Sequence, residues 1–293
     1  MKRRTALRNL ALTAAGTATL STACMSNTSE NEEKKTKVTK LKANIKQSVC
    51  RWCYGDMPLE EMADFCKDLG MFSIELLKED EWKTVQDRGL TCAVATGDIS
   101  LTEGFNDVKN HAKLQAFYPD LIRKAAAAGL PNVICFSGNR NGIDDVTGIE
   151  NCAVGLEPLV KLAEKEGINL IMEVFNSKVD HPDYMADSTK WTVDLCKKMG
   201  SDRMKILYDI YHMQIMEGDI IRTIQENHEY FAHYHTAGVP GRNEIDESQE
   251  LYYPAIVKAI LATGYTGYLG QEFIPKKEDK LGSLRASVLL CDV

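Results

Sequence analysis

Positive charge is scarce in this chain. Its 293 residues carry 35 Lys and Arg against 42 Asp and Glu, a net charge of -7, and only 6 His. No basic patch interrupts that balance, which argues against nucleic acid as a partner. A zinc-dependent DNA-repair nuclease would need a basic face and more histidines at strand ends than are present. The apolar stretch from Leu7 to Leu20 is Ala/Thr-rich, too short and too polar to stay as a membrane span. No Gly-rich phosphate loop follows the first strand pattern, which disfavours a dinucleotide-binding open sheet. Second zinc-type pairs are also missing. Among 9 Cys there is one Cys50-Arg-Trp-Cys53, and a lone C-x-x-C is a weak metal signal. Cys92, Cys135 and Cys196 fall in strand or helix patterns, as small core residues do.

What is present begins with a basic start, Lys2-Arg3-Arg4, ahead of the weakly apolar run. Arg3-Arg4 with Thr-Ala-Leu-Arg resembles a twin-arginine export signal. Leu20-Ser-Thr-Ala-Cys24 resembles a bacterial lipoprotein cleavage box, with Cys24 as the lipid acceptor. Residues 1–24 are therefore expected to be an export signal, and the Ser/Asn/Glu/Lys-rich residues 25–42 a disordered linker. The expected location is the periplasm or the bacterial envelope, with membrane contact only through that N-terminal anchor.

From residue 43 onward, short apolar runs alternate with longer amphipathic ones. Strands are predicted at residues 45–49, 72–77, 92–95, 133–136, 169–175, 204–208, 233–236 and 268–273. Helices are predicted from Met57-Pro58, over 109–128, 156–166, 189–199 and 254–263, from Gly218-Asp219, and from about Asp279. Gly129, Gly167, Gly200 and Gly264 stop four of them, where a left-handed residue is wanted. A period near 30 residues over about 250 fits a single-domain (β/α)8 TIM barrel covering 43–293.

Barrel enzymes keep their chemistry at the carboxyl ends of their strands. Glu173 sits inside the apolar run Leu170-Ile-Met-Glu-Val-Phe, Asp209 ends Lys205-Ile-Leu-Tyr-Asp, His235 lies in His233-Tyr-His-Thr, and Glu272 follows Leu269-Gly-Gln. Each is one βα unit from the next, so all four are expected at the same height on consecutive strands. Carboxylates and an imidazole so close would force protonation unless a cation neutralised them. An oxygen-rich set with one nitrogen suits Mn²⁺, Mg²⁺ or Co²⁺. His212, three residues past Asp209, could hydrogen-bond a substrate oxygen or support a ligand. Arg242, in the loop Val239-Pro-Gly-Arg-Asn-Glu244, offers a fork that can hold a carboxylate.

Tyr208-Asp-Ile-Tyr-His-Met-Gln-Ile-Met-Glu-Gly-Asp219, with Gly238-Val-Pro-Gly-Arg242 and Gly264-Tyr-Thr-Gly-Tyr-Leu-Gly-Gln-Glu272, resembles the hydroxypyruvate isomerase family. More broadly the chain is similar to the xylose-isomerase-like TIM-barrel sugar isomerases and epimerases. The resemblance implies a divalent metal on Glu173, Asp209, His235 and Glu272. It implies that Glu173 and Glu272 exchange protons with adjacent substrate carbons, while His212 and Arg242 contact the substrate. The expected substrate is a small hydroxy-keto acid, most directly hydroxypyruvate, converted to 2-hydroxy-3-oxopropanoate. A ketose epimerase, a keto-glycoside lyase acting outside the cytoplasm, and a non-catalytic sugar-binding barrel are alternatives on the same scaffold. Assembly as a homo-oligomer is compatible with the sequence.

Overall fold

The computed structural model describes residues 40–293. The expected export signal, and all but the last three residues of the expected linker, lie outside them. Those last residues lie against the barrel. Leu41 is buried beside Gly70, and the amides of Lys42 and Ala43 donate to the Asp292 carboxylate at 2.7 and 3.1 Å.

The strands are β1 Lys46–Cys50, β2 Ser73–Glu75, β3 Asn132–Cys135, β4 Asn169–Glu173, β5 Met204–Asp209, β6 Phe231–Thr236 and β7 Tyr268–Gln271. The helices are α1 Leu59–Leu69, α2 Glu79–Gln86, α3 His111–Ala127, α4 Asp145–Glu166, α5 Thr189–Met199, α6 Ile210–Met216, α7 Ile220–Asn227, α8 Tyr253–Ala262 and α9 Lys280–Cys291. Every strand pairing is parallel, in the order β2-β1-β7-β6-β5-β4-β3.

The strand expected at 92–95 forms no continuous ladder. Isolated bridges from Thr91 to Ser73, and from Ala95 to both Leu77 and Val133, take its place. They span the gap between β2 and β3 and close the barrel. The amide of Leu76 donates to Val94 at 2.8 Å and that of Ala95 to Asn132 at 2.9 Å. The eighth stave is therefore irregular.

Alternation along each strand decides what faces the lumen. Leu170, Met172, Ile206, Tyr208 and Tyr234 point outward, into the main core under the helices. Ile171 and Leu207 point inward and pack with Ile134 and Val94 as a plug across the barrel. Two residues further along β4 and β5 the inward positions are Glu173 and Asp209. The lumen thus changes from aliphatic to charged in one step toward the carboxyl face. Among the described residues, no helix is long and apolar enough to cross a membrane.

Candidate active site

Glu173, Asp209, His235 and Glu272 each turn one ligand atom to a common point, all within 4.8 Å of one another. Their exposures are 2%, 1%, 0% and 3%, so none of these charges is neutralised by bulk water. Convergence does not come from one common register. Glu173 pairs with Leu207, Asp209 pairs with His235, and His235 pairs with Gly270, two residues short of Glu272. The ladder climbs around the barrel, and strand tilt brings the four side chains to one place.

Each side chain is held from behind. Asp209 caps α6, its Oδ1 accepting from the His212 amide at 3.1 Å, which leaves Oδ2 facing the site. Glu272 accepts from Trp52 Nε1 at 2.9 Å and from Arg242 Nη2 at 2.7 Å. His235 Nδ1 stands 3.3 Å from Glu173 Oε1 and 3.1 Å from Glu272 Oε2. Among the described residues, Glu173 Oε1, Asp209 Oδ2 and His235 Nδ1 are buried without a hydrogen-bond partner. Buried polar atoms are seldom left so. Here the partnerless atoms share one point, and three oxygens with one nitrogen form the donor set expected for a hard or borderline divalent cation.

Crowding shows in the acidities. Burial and the Glu272 charge push Glu173 up to about 7 and Asp209 well above the carboxylate range. Burial acts on Glu272 in the same sense, but His235 and Arg242 hold it well below that range. Burial works against a charged His235, yet the Cys50 sulfur and the Glu272 carboxylate beside it keep its pKa well above that of free imidazole. With metal-free side chains alone, the site evens out its charge by sharing protons.

His212 is fully buried, and its tautomer can be read from its neighbours. Asn176 Oδ1 accepts from the amides of Val179 and Asp180 at 3.0 and 2.9 Å, which fixes Nδ2 as the donor toward His212 Nδ1 at 2.6 Å. The proton of a neutral His212 is then on Nε2. That atom has no partner among the described residues and lies 3.6 Å from Asp209 Oδ2. Burial and Arg242 lower the pKa of His212 well below the usual imidazole range, so it stays neutral. It can donate to a substrate oxygen without adding charge.

Arg242 takes a left-handed φ of 58°, which turns its side chain over the acids. Its guanidinium lies 5.0 Å from the Trp52 ring centre and 5.6 Å from that of Tyr211. All six residues expected at the site are therefore assembled at one barrel mouth.

A family model for the xylose isomerase-like TIM barrel matches residues 59–287. The chain belongs to the xylose isomerase-like TIM barrel family. Over 245 residues it is 33% identical to a 2-oxo-tetronate isomerase of Pectobacterium atrosepticum, covering 78% of this chain and 92% of that one. It is 30% identical over 162 residues to hydroxypyruvate isomerase of Escherichia coli K12, covering 55% and 62%. It spans about half the length of other curated relatives, 58% and 50% for two of them. A solved 3-keto-D-glucoside 4-epimerase from E. coli shares the fold at a TM-score of 0.72 and 18% identity, over 84% of this chain and 98% of that one.

Within this xylose isomerase-like barrel, three neighbours of the site escaped the sequence. Trp52 lies in the turn after β1, where nothing marks it as functional. His181 stacks on Phe175 at 4.3 Å, with its buried Nε2 unpartnered among the described residues, but it sits in a long loop without periodicity. Glu75 ends β2, and its Oε1 lies 2.7 Å from Nε2 of both His233 and His235. Its signal was available: an acid inside Phe72-Ser-Ile-Glu-Leu-Leu77, the pattern that marks Glu173.

Proposed function

We propose that this barrel is a divalent-metal-dependent isomerase of small α-hydroxycarbonyl compounds. Its favoured substrate would be a short 2-oxo acid such as hydroxypyruvate, converted to 2-hydroxy-3-oxopropanoate. The observation that carries this is the convergence of four buried ligand atoms, three of them without another partner. The relatives named hydroxypyruvate isomerase and 2-oxo-tetronate isomerase support a 2-oxo acid.

Glu173, Asp209, His235 and Glu272 would hold Mn²⁺, Mg²⁺ or Co²⁺. Such an ion supplies positive charge that draws electrons from the substrate carbonyl and acidifies the neighbouring C–H bond. The chain's own groups do the rest. One of Glu173 and Glu272 takes the proton from the hydroxyl-bearing carbon, whose C–H electrons pass into the carbon–carbon bond. The other delivers a proton to the former carbonyl carbon, and the hydroxyl proton passes to the former carbonyl oxygen, so that the carbon that lost its hydrogen becomes the new carbonyl. His212 Nε2–H donates to the oxygen on which charge develops. Arg242 steadies Glu272 and presents its buried Nε toward an anionic end group.

Deuterium exchange tests this. In D₂O the Mn²⁺-loaded protein should exchange the substrate C–H. Replacing the glutamate that acts as the base, by Glu173→Gln or Glu272→Gln, should slow this exchange about 10²–10⁴-fold, the usual share of a general base. Exchange at the wild-type rate in both variants sinks the proposal.

One observation favours a second substrate class. Arg242 is already paired with Glu272, so less of its charge is free for a substrate carboxylate. A neutral ketose or keto-glycoside would suit that arrangement, and a panel of hydroxypyruvate, ketoses and 3-keto-glycosides separates the classes. The paired arginines and the small-residue run before Cys24 support export to the periplasm or envelope. The mass of the mature protein from its own host reads whether cleavage and lipidation occur.

A further inference from the structure

Glu75 reaches further than any neighbour of the site. It ends β2, yet it meets His233 and His235 on β6, and β1 and β7 lie between those strands. Small residues clear the route. Gly270 on β7 pairs with His235, and a Cβ there would come within 2.4 Å of Glu75 Oε1 and 2.8 Å of His235 Cδ2. On β1, Cys50 pairs with Glu75 and leaves only its sulfur nearby, at 3.6 Å from Glu75 Oε1. Glu75, His233 and His235 are all 0% exposed.

Burying a carboxylate this deeply is unfavourable unless donors surround it. Both imidazoles give Glu75 Oε1 an N–H at 2.7 Å, the spacing of a charge-assisted hydrogen bond. With Nε2–H committed to Glu75, His235 has only Nδ1 left to offer. Nδ1 is the atom that faces Glu173 and Glu272.

We propose that Glu75 is a positioning residue: anchored by His233, it fixes the Nε2–H form of His235 and aims Nδ1 at the three carboxylates, setting how tightly the site grips its cation. This rests on the divalent-ion function proposed above. A carboxylate behind a ligating imidazole orients the ring and strengthens its donor nitrogen, and losing one commonly weakens metal binding about 10–100-fold. Gly270 and Cys50 then have a stated purpose, since bulk at either position would intrude on the hydrogen bond.

Two measurements test it. Calorimetric titration with Mn²⁺ should show Glu75→Gln binding about 10–100-fold more weakly than wild type. Histidine-ring NMR of the Mg²⁺-loaded wild-type protein should show a downfield, slowly exchanging Nε2–H on His235. That proton should move upfield in Glu75→Gln, a change that loss of packing alone would not produce. The wild-type spectrum needs no variant, so a poorly folding Glu75→Gln leaves the inference open to refutation. Wild-type affinity in Glu75→Gln, or a His235 without a hydrogen-bonded Nε2–H in wild type, overturns the role of Glu75. If the wild-type protein takes up no Mn²⁺, the proposed function falls, and this inference with it.

Discussion

At the scale of single residues, the site is defined by which atoms are satisfied and which are left open. Asn176 shows this for His212. It presents a donor to Nδ1 only because its own oxygen is engaged by two backbone amides. Asn176→Asp would replace that donor with an acceptor, draw the proton to Nδ1 and turn Nε2 into an acceptor. Turnover is expected to fall about 10–100-fold, the worth of one hydrogen bond to a charged group, with the fold intact. Steady-state kinetics beside a circular dichroism spectrum would check it. The cysteines are the opposite case, because all eight in the described residues are buried and unpaired, and burial pushes the Cys66 thiol up to about 12. Thiol reagents should leave these eight untouched in the folded protein and label them once it is unfolded. The Cys50–Cys53 spacing, weak as a zinc signal, places Cys50 beside Glu75 and His235 instead.

At the scale of elements, legibility follows periodicity. Helix α5 matches the predicted 189–199 at both ends: Gly200, at φ 62°, stops it as expected, and the structure shows Ser188 capping its start. Ser188→Ala should lower stability by about 0.5–2 kcal/mol in urea unfolding without changing Mn²⁺ affinity, since the Ser188 hydroxyl binds the Trp191 amide and none of the four ligand residues. Where local signals conflict, the reading failed. Helix α4 begins at Asp145, well before the predicted 156, because Gly148 and Gly155 look like breaks. Both are demanded by packing: a Cβ on Gly148 would strike Met185 Sδ at 2.0 Å, and one on Gly155 would strike the His111 ring at 2.6 Å. The short helix α2 was not predicted, its run Glu79-Asp-Glu-Trp-Lys-Thr-Val-Gln86 burying only Trp82 and Val85. The irregular eighth stave defeats a pattern search for a plainer reason: its pairing consists of isolated contacts that no local propensity encodes. Glu75 is legible as an acid inside the apolar run 72–77, but its meeting with His233 and His235 across two intervening strands is made only by the closed barrel.

At the scale of the whole molecule, folding gathers acids that repel one another, and binding of a cation should repay that tension. At an ion concentration of 100 times its dissociation constant, Mn²⁺ should add about 2.7 kcal/mol, or roughly 5–10 °C in melting temperature for a domain of this size. EDTA should reverse the gain in a thermal scan. Binding should also depend on pH with a definite sign. Glu173 in the metal-free protein has its pKa raised to about 7, so it keeps its proton in mildly acid solution and gives it up as pH rises. Apparent Mn²⁺ affinity should therefore strengthen as pH rises through about 7, with protons released on binding. Calorimetry in buffers of different ionisation enthalpy counts those protons, and pH-independent affinity would contradict the crowding described for the site.

The clasp formed by Lys42, Ala43 and Asp292 has a consequence for access. It precedes β1, at the amino-terminal face of the barrel, and the acids occupy the opposite face. Residue 40, where the described chain begins, therefore joins the barrel on the side away from its ligand cluster, leaving the mouth clear of that junction.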